Sequence, residues 1–360
     1  MRLVPTGQNS AKIILNMERF SRRDFLKLGS LALSSMAMSR YAPRLGDYET
    51  GSLARVCIDS VSVHSRPDDT SRIVSQWYRD NLVNIYEEVN SGTPGYNPIW
   101  YRVWGGYMHR AHLQKVKFSY NKPLTSLPIE GRQLGQVTVP FSQAIRYDSR
   151  KGWIPGYRLY YDSVHWISEI TDGPDGKLWY VLLDELLNTT YNVPADQIRP
   201  VTSDEIAPIS SEVPMINKRI EISLNTQRLT AFEYDNPVFE AVISSGIPST
   251  DTSANGIPTI TPSGKFNVTV KMPSKHMGRG NLAADINDYV LPGVPWCSFF
   301  TTQGHAIHGA WWHDNFGVPM SHGCINMHPE DAKWVFRWVR PVSEPADVDR
   351  KGYGTTLIIN

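Results

Sequence analysis

From Arg219 the chain alternates polar and apolar residues in Arg219-Ile220-Glu221-Ile222-Ser223-Leu224. It breaks at Asn225-Thr226-Gln227 and resumes in Leu229-Thr230-Ala231-Phe232-Glu233-Tyr234. A period of two sends neighbouring side chains to opposite faces of a strand, so this stretch is a half-buried β pair. A further turn at Asp235-Asn236-Pro237 leads into Val238-Phe239-Glu240-Ala241-Val242-Ile243-Ser244, which makes the pair a meander. Lys265 to Val270 and Tyr353 to Ile359 read as more strands. One helix is expected, Pro329 to Val339. It has Pro in its first turn, Glu330 and Asp331 at its positive end, and Ala332, Val335, Phe336 and Val339 at helical spacing. The Gly/Pro-rich stretch Met272 to Pro295 reads as a long loop. With 25 Pro and 26 Gly in 360 residues, the expected class is mainly β with many turns.

The length sets a prior of two to three domains. Residues 54–118 break into short strands, among them Val56 to His64, Ile73-Val74, Leu82 to Tyr86 and Trp100 to Val103, with a turn at Arg66-Pro67-Asp68-Asp69. Asn97-Pro98-Ile99-Trp100-Tyr101-Arg102-Val103 is echoed by Asp175-Gly176-Lys177-Leu178-Trp179-Tyr180-Val181. The stretches that close each copy, Ala111 to Val116 and Ala195 to Val201, are also alike. Two copies of one small β-module, at 54–118 and 134–202, account for the echo. A polar connector from Thr202 to Pro214 then leads to a last domain, 213–360. The aromatics of the modules fit core packing better than an exposed binding platform.

At the other end, Ser21-Arg22-Arg23-Asp24-Phe25-Leu26-Lys27 precedes a short, mildly apolar run from Leu28 to Met38. This reads as a twin-arginine export signal over 1–38, with small residues for cleavage after Ala37 and a linker at 39–53. Met17 would serve equally as a start. The apolar run is short for a membrane span of about 20 residues. Lys+Arg at 36 against Asp+Glu at 35 leaves a net charge of +1, which gives no footprint for nucleic acid. The three cysteines Cys57, Cys297 and Cys324 make no disulfide framework, and an odd count in an exported chain flags a free thiol.

The chemistry is concentrated between His305 and Val335. Cys324 lies in Ser321-His322-Gly323-Cys324-Ile325-Asn326, and His308-Gly309 precedes it. A thiol attacks as the thiolate, which needs a base or positive charge beside it. His308 and His322 are the candidate bases. Gly323 permits the close approach or unusual φ of an oxyanion hole made from the N–H groups of Gly323 and Cys324. The residues alone also admit a buried, inert cysteine, and a zinc site drawn from His305, His308, His313, His322, His328 and Cys324. None of these has the local spacing of a zinc motif.

This pattern is similar to that of the L,D-transpeptidases with the YkuD-type catalytic domain: His-Gly, about fifteen residues, then Ser-His-Gly-Cys, an aliphatic residue and Arg or Asn. Gly256 to Phe266, containing Thr261-Pro262-Ser263-Gly264-Lys265-Phe266, resembles the family's T-P-x-G-x-F segment. The resemblance covers about Val213 to Asn360. It implies a β-sandwich or barrel with one helix after the nucleophile, and the long Gly/Pro-rich loop as a cap over the cleft. It also implies Cys324 as nucleophile and His308 as base, held by a carbonyl such as that of Gly309, with His322 and Gly323 lining the site. Gly309, Trp311, Ser321 and Asn326 are expected to contact substrate. Asn326 stands where many relatives have Arg, so Lys271, Lys275 or Arg279 would supply a charge for a substrate carboxylate. The implied partner is a peptidoglycan stem peptide, with no cofactor and no metal. Residues 54–118 and 134–202 resemble bacterial SH3-like barrels, whose role would be placement, with the catalytic domain separable near Ser211.

Overall fold

The computed structural model describes residues 53–128, 131–248, 259–278 and 290–360. The export signal read at 1–38, the linker up to Ser52, Gly256 to Pro258 and Arg279 lie outside the described residues.

Residues 53–116 form two sheets. The larger runs in the order Ile73–Tyr78, Ser60–His64, Gly106–His109, Ile99–Val103, Glu87–Asn90, and the smaller in the order Leu82–Asn84, Leu53–Val56, Leu113–Val116. Residues 133–200 repeat this connectivity in one continuous sheet: Gly152–Tyr160, Phe141–Asp148, Thr189–Pro194, Leu178–Asp184, Val164–Asp172, Gln133–Val137, Ile198–Pro200. The long strand Val164–Asp172, irregular between Ile167 and Glu169, does the work of the two strands Leu82–Asn84 and Glu87–Asn90 of the first module. Trp100-Tyr101 and Trp179-Tyr180 occupy equivalent strands. Each is followed by one more strand, a single 3-10 turn (Arg110–His112 or Ala195–Gln197) and a short closing strand. Their rings are buried, which is why the echo is legible in the sequence: both copies need the same core residues at the same point.

From Lys218 onward there are two five-stranded sheets. The first runs Asn236–Val242, Arg228–Glu233, Lys218–Ser223, Thr356–Ile359, Gly264–Asn267. Its meander follows from the period-two pattern, with Ile220, Ile222, Leu229 and Ala231 facing inward. The second runs Ile325–Met327, Ala306–Gly309, Val290–Phe299, Val270–Gly278, Arg350–Lys351. Together with Trp296, Ile307 and Ile325 from the second sheet, the helix Pro329–Trp338 supplies Ala332, Val335 and Phe336 to the same core. The expected helix is present, and Val339 is its C-cap.

Two expectations need correction. Most of the stretch expected to be a loop, Met272 to Pro295, is strand, with Val270–Gly278 paired to Val290–Phe299. Proline was the misleading signal. Ala306–Gly309 pairs with Val290–Phe299 only at Ser298 and Phe299, so Pro292 and Pro295 sit where the missing N–H costs no ladder bond on that edge. Lys271 is buried rather than available to a substrate: its Nζ donates to the Val339 carbonyl at 3.1 Å and lies over the Phe336 ring. Lys218 likewise donates to the Trp338 carbonyl at 3.2 Å, so two buried lysines satisfy carbonyls at the C-terminal end of the helix.

The second module is built into this domain. Leu134, Val164 and Trp166 belong to the same apolar cluster as Ile220 and Phe336. Buried His276 Nδ1 and Asp184 Oδ2 meet at 2.7 Å, and Ser274 donates to the Val164 carbonyl at 2.6 Å. The connector continues the attachment. Glu205 accepts both guanidinium nitrogens of Arg199 and, from the helix, Lys333 at 3.0 Å.

Candidate active site

Strand Ala306–Gly309 runs parallel to Ile325–Met327, with Ile307 opposite Ile325 and His308 opposite Asn326. Paired residues of parallel strands point to the same face, and so do residues two apart on one strand. Cys324 lies in the bend that leads into Ile325–Met327, so the pairing brings its loop to the strand that carries His308. The His308 ring is fixed by Nδ1, 3.0 Å from the Gly309 carbonyl oxygen. A carbonyl only accepts, so Nδ1 carries the hydrogen and Nε2 is left as a base. Burial pushes His308 down to about 4, partly opposed by its Gly309 bond, so the ring is neutral.

Cys324 is half-buried, while Cys57 and Cys297 are fully buried. Its Sγ faces the Gly304 carbonyl at 3.8 Å. Desolvation pushes the thiol up to about 11, against a small pull downward from the Ala306 backbone amide. Burial thus keeps both the thiol and the imidazole neutral. No cation lies in contact with the sulfur among the described residues, and burial disfavours the charged form of both groups. The arrangement suits general-base removal of the proton as attack occurs, rather than a standing thiolate.

The loop carrying the thiol is held from below. Gly323 has φ +106, a conformation open to glycine. Gly246 approaches so closely that a Cβ there would lie 2.8 Å from Gly323 N and Cα. Thr261, from the segment picked out in the sequence, donates to the Gly323 carbonyl at 2.9 Å and accepts from Gly246 N–H at 2.8 Å. Ser321 Oγ donates to the Cys324 carbonyl at 2.5 Å and accepts from Gly323 N–H at 3.2 Å. The Gly323 amide, expected in the oxyanion hole, is therefore engaged. The Cys324 amide donates to no acceptor among the described residues.

The expected substrate contacts are redistributed. Ser321 is buried and braces the loop. Gly309 is packed against Pro295 and Pro329 and supplies the carbonyl that orients His308. Asn326 is 1 % exposed and faces His313 Nε2 at 3.0 Å. Trp311 is buried where the two modules meet the loop, 4.7 Å from the Tyr160 ring, with Arg55 over it. Its half-buried neighbour Trp312 lies 5.8 Å from the His308 ring. Nothing in two adjacent tryptophans tells a sequence reader which one turns inward. His322 is exposed. Lys275 pairs with Glu185 at 3.1 Å.

The histidines of the zinc reading have separate partners. His305 is bound to Thr301, His313 faces Asn326, and His328 Nε2 lies 3.6 Å from Asp314 Oδ1. Among the described residues no group of three or more His, Cys, Asp or Glu side chains gathers as metal ligands would.

Residues 217–359 match the family model of the YkuD L,D-transpeptidase catalytic domain. No curated protein matches the chain. Among solved structures, an L,D-transpeptidase from Xylanimonas cellulosilytica is 22% identical at a TM-score of 0.29, covering 40% of this chain and 60% of its own. The catalytic domain of the Enterococcus faecium L,D-transpeptidase is 23% identical at a TM-score of 0.28, covering 40% of this chain and 96% of its own. An L,D-transpeptidase from Mycobacterium smegmatis is 16% identical at a TM-score of 0.30, covering 70% of this chain and 92% of its own. The strands and loop that carry His308 and Cys324 thus lie inside the stretch, residues 217–359, that matches the YkuD L,D-transpeptidase catalytic domain.

Proposed function

We propose that the chain is an L,D-transpeptidase that forms 3→3 cross-links in peptidoglycan with Cys324 as nucleophile. The observation that supports this reading is His308 Nδ1 tied to Gly309, on a strand paired in parallel with the one that Cys324 leads into. In the first step Cys324 Sγ bonds to the carbonyl carbon of the third residue of a tetrapeptide stem while His308 Nε2 takes the thiol proton. The Cys324 amide receives the charge that develops on the carbonyl oxygen. As the carbon–nitrogen bond breaks, the proton passes to the departing D-alanine amine and a thioester remains. A side-chain amine of another stem then attacks the thioester, gives up a proton through His308 and regenerates the thiol. Water as acceptor would give an L,D-carboxypeptidase, and a protein amine an attachment enzyme. A non-catalytic wall-binding protein is disfavoured by the intact Cys–His arrangement.

The two N-terminal modules are read as SH3-like barrels that face the wall. The Arg22-Arg23 segment is read as directing export by the twin-arginine route to the cell envelope. Replacing both arginines by Lys is expected to trap the precursor inside the cell, and normal export would overturn the localisation.

Mass spectrometry of products from purified muropeptides tests the chemistry. The expected result is loss of D-alanine with a cross-linked dimer, and neither product from Cys324→Ala. Product formation by that variant would overturn the assignment. His308→Ala is expected to lose at least about a hundredfold in acylation rate, the lower range for removing a general base.

A further inference from the structure

Among the polar contacts between the first module and the catalytic domain, one set does not stop at the interface. Asn97 is fully buried in the loop before strand Ile99–Val103. Its Oδ1 accepts from Arg110 Nε at 2.6 Å, and its carbonyl oxygen meets His109 Nε2 at 2.7 Å. Its Nδ2 crosses to the catalytic domain, donating to the Asp314 carbonyl at 3.0 Å and to Asn315 Oδ1 at 2.9 Å. Every polar group on the Asn97 side chain is thus committed, half of them to the loop that follows His308-Gly309.

The line continues inward. The Asn315 backbone N–H donates to His313 Nδ1 at 3.2 Å. A backbone N–H can only donate, so Nδ1 is an acceptor and the neutral ring carries its hydrogen on Nε2. That N–H meets the Asn326 amide at 3.0 Å. With Nδ2 turned toward the ring, two donors would face each other, and Asn326 Oδ1 is buried without a partner. The reverse orientation removes the clash of donors: Oδ1 accepts from His313, and the amide NH2 takes the place of Oδ1. The backbone of Asn326 is locked as well, by bonds of 2.9 and 2.8 Å to Ser244, and Ser244 Oγ returns to the Asn315 carbonyl at 3.1 Å. Asn326 lies opposite His308 and two residues after Cys324.

We propose that Asn97 of the first module, acting through Asn315 and His313, is a positioning residue that sets Asn326 and hence the Cys324–His308 pair, so that this module is part of the catalytic unit. The proposal rests on the reading of Cys324 and His308 as the reacting pair. A shift of about 1 Å at a reacting atom can cost a hundredfold, and the chain of bonds ends one residue pair from both groups.

The test uses the full chain with Asn97→Ala, Asn97→Asp, His313→Leu and His313→Gln. Intact mass reports two rates: Cys324 acylation by a penem-class β-lactam, and Cys324 alkylation by iodoacetamide against pH. Asn97→Ala and His313→Leu are expected to slow acylation by about tenfold to a hundredfold. The dependence on β-lactam concentration should not change. Their alkylation midpoint should fall toward the free-cysteine value of about 8.5 as water enters. A role confined to stability would leave that midpoint in place. His313→Gln keeps one donor and one acceptor, so it should restore the wild-type profile. Combined Asn97→Ala and His313→Leu should lose no more than the worse single change, because one chain is broken once. Asn97→Asp keeps the shape and the Arg110 bond but cannot donate to Asn315, so it decides the matter if Asn97→Ala does not fold. Wild-type rate and midpoint in folded Asn97 variants, or fully additive losses, would overturn the proposal. If the wild type resists the β-lactam, the transpeptidase reading fails, and the alkylation profiles still decide the positioning role.

Discussion

The two N-terminal modules share a strand connectivity but are joined to the rest of the molecule by different physics. The first keeps its own core around Ala54, Val63, Tyr101 and Met108. It reaches the catalytic domain largely through polar groups such as Asn97, Arg110 and Tyr101 around Asp314. The second gives Leu134, Val164 and Trp166 to the catalytic core and adds the buried His276–Asp184 contact. Apolar burial is non-directional and grows with area, so a shared core makes two units fold as one. A polar dock adds little net stability but fixes geometry, because each misplaced partner leaves a buried group unsatisfied. One repeat therefore shares a core with the domain at 217–359, and its twin is attached to it largely through polar groups.

The strongest way to break this contrast is to cut the chain. A chain beginning at Ser211, which the sequence marks as separable, should fail to fold cooperatively, because Ile220, Trp296 and Phe336 would lose Val164 and Trp166. A chain beginning at Lys117 should fold with one cooperative transition, measured by circular dichroism on heating. A well-folded Ser211 chain would show that the shared core is dispensable.

Single residues sharpen the same point. Trp166→Ala should cost about 3–5 kcal/mol of global stability, the range for deleting a buried Trp. Trp100→Ala removes an equally buried ring, but its loss should stay within the first module. Denaturant unfolding followed by hydrogen exchange distinguishes the two, and equal protection loss in the catalytic strands would contradict the distinction.

A smaller effect should appear in acid. Burial works to raise the Asp184 carboxyl, but His276 and the amides of Leu187 and Leu186 bring it below its ordinary value. A carboxyl lowered in the folded state contributes stability that is present above its unfolded value of about 3.9. That contribution is lost as pH falls through the folded value. Asp184→Asn should therefore cost about 1–3 kcal/mol at neutral pH and flatten the loss below about pH 4. An unchanged acid limb would remove Asp184 from the junction's energetics.

The smallest effect is expected between the modules themselves. Arg158 pairs with Asp80 at 2.5 Å but keeps 45% of its side chain exposed. Arg158→Ala should cost less than about 1 kcal/mol, as for other partly exposed pairs. A loss several times larger would mean that the modules are locked together more firmly than their polar contacts indicate.

Much of the architecture was legible from local pattern. The meander from Arg219, the helix after the nucleophile and the Trp-Tyr echo each depend on residues close in sequence. The hairpin Val270–Gly278 and Val290–Phe299 was missed because its prolines read as loop, and only the short reach of Ala306–Gly309 shows why they are tolerated. Within the site, the motif located Cys324 and His308. Trp311, Ser321, Gly309 and Asn326 were expected to contact substrate from the family resemblance, yet each is buried.

Periodicity and a short motif are properties of neighbours along the chain, so the mainly β class, the repeat and the candidate pair Cys324 and His308 could be read from them. The burial of that pair, the atoms that hold the Cys324 loop, and how differently the two repeats are attached are set in three dimensions. Those depend on burial and on partners such as Thr261 for Gly323 or Asn97 for Asn315, brought together from distant parts of the chain. Desolvation and hydrogen-bond pairing are set by what surrounds a group in space, and spacing along the chain does not encode them.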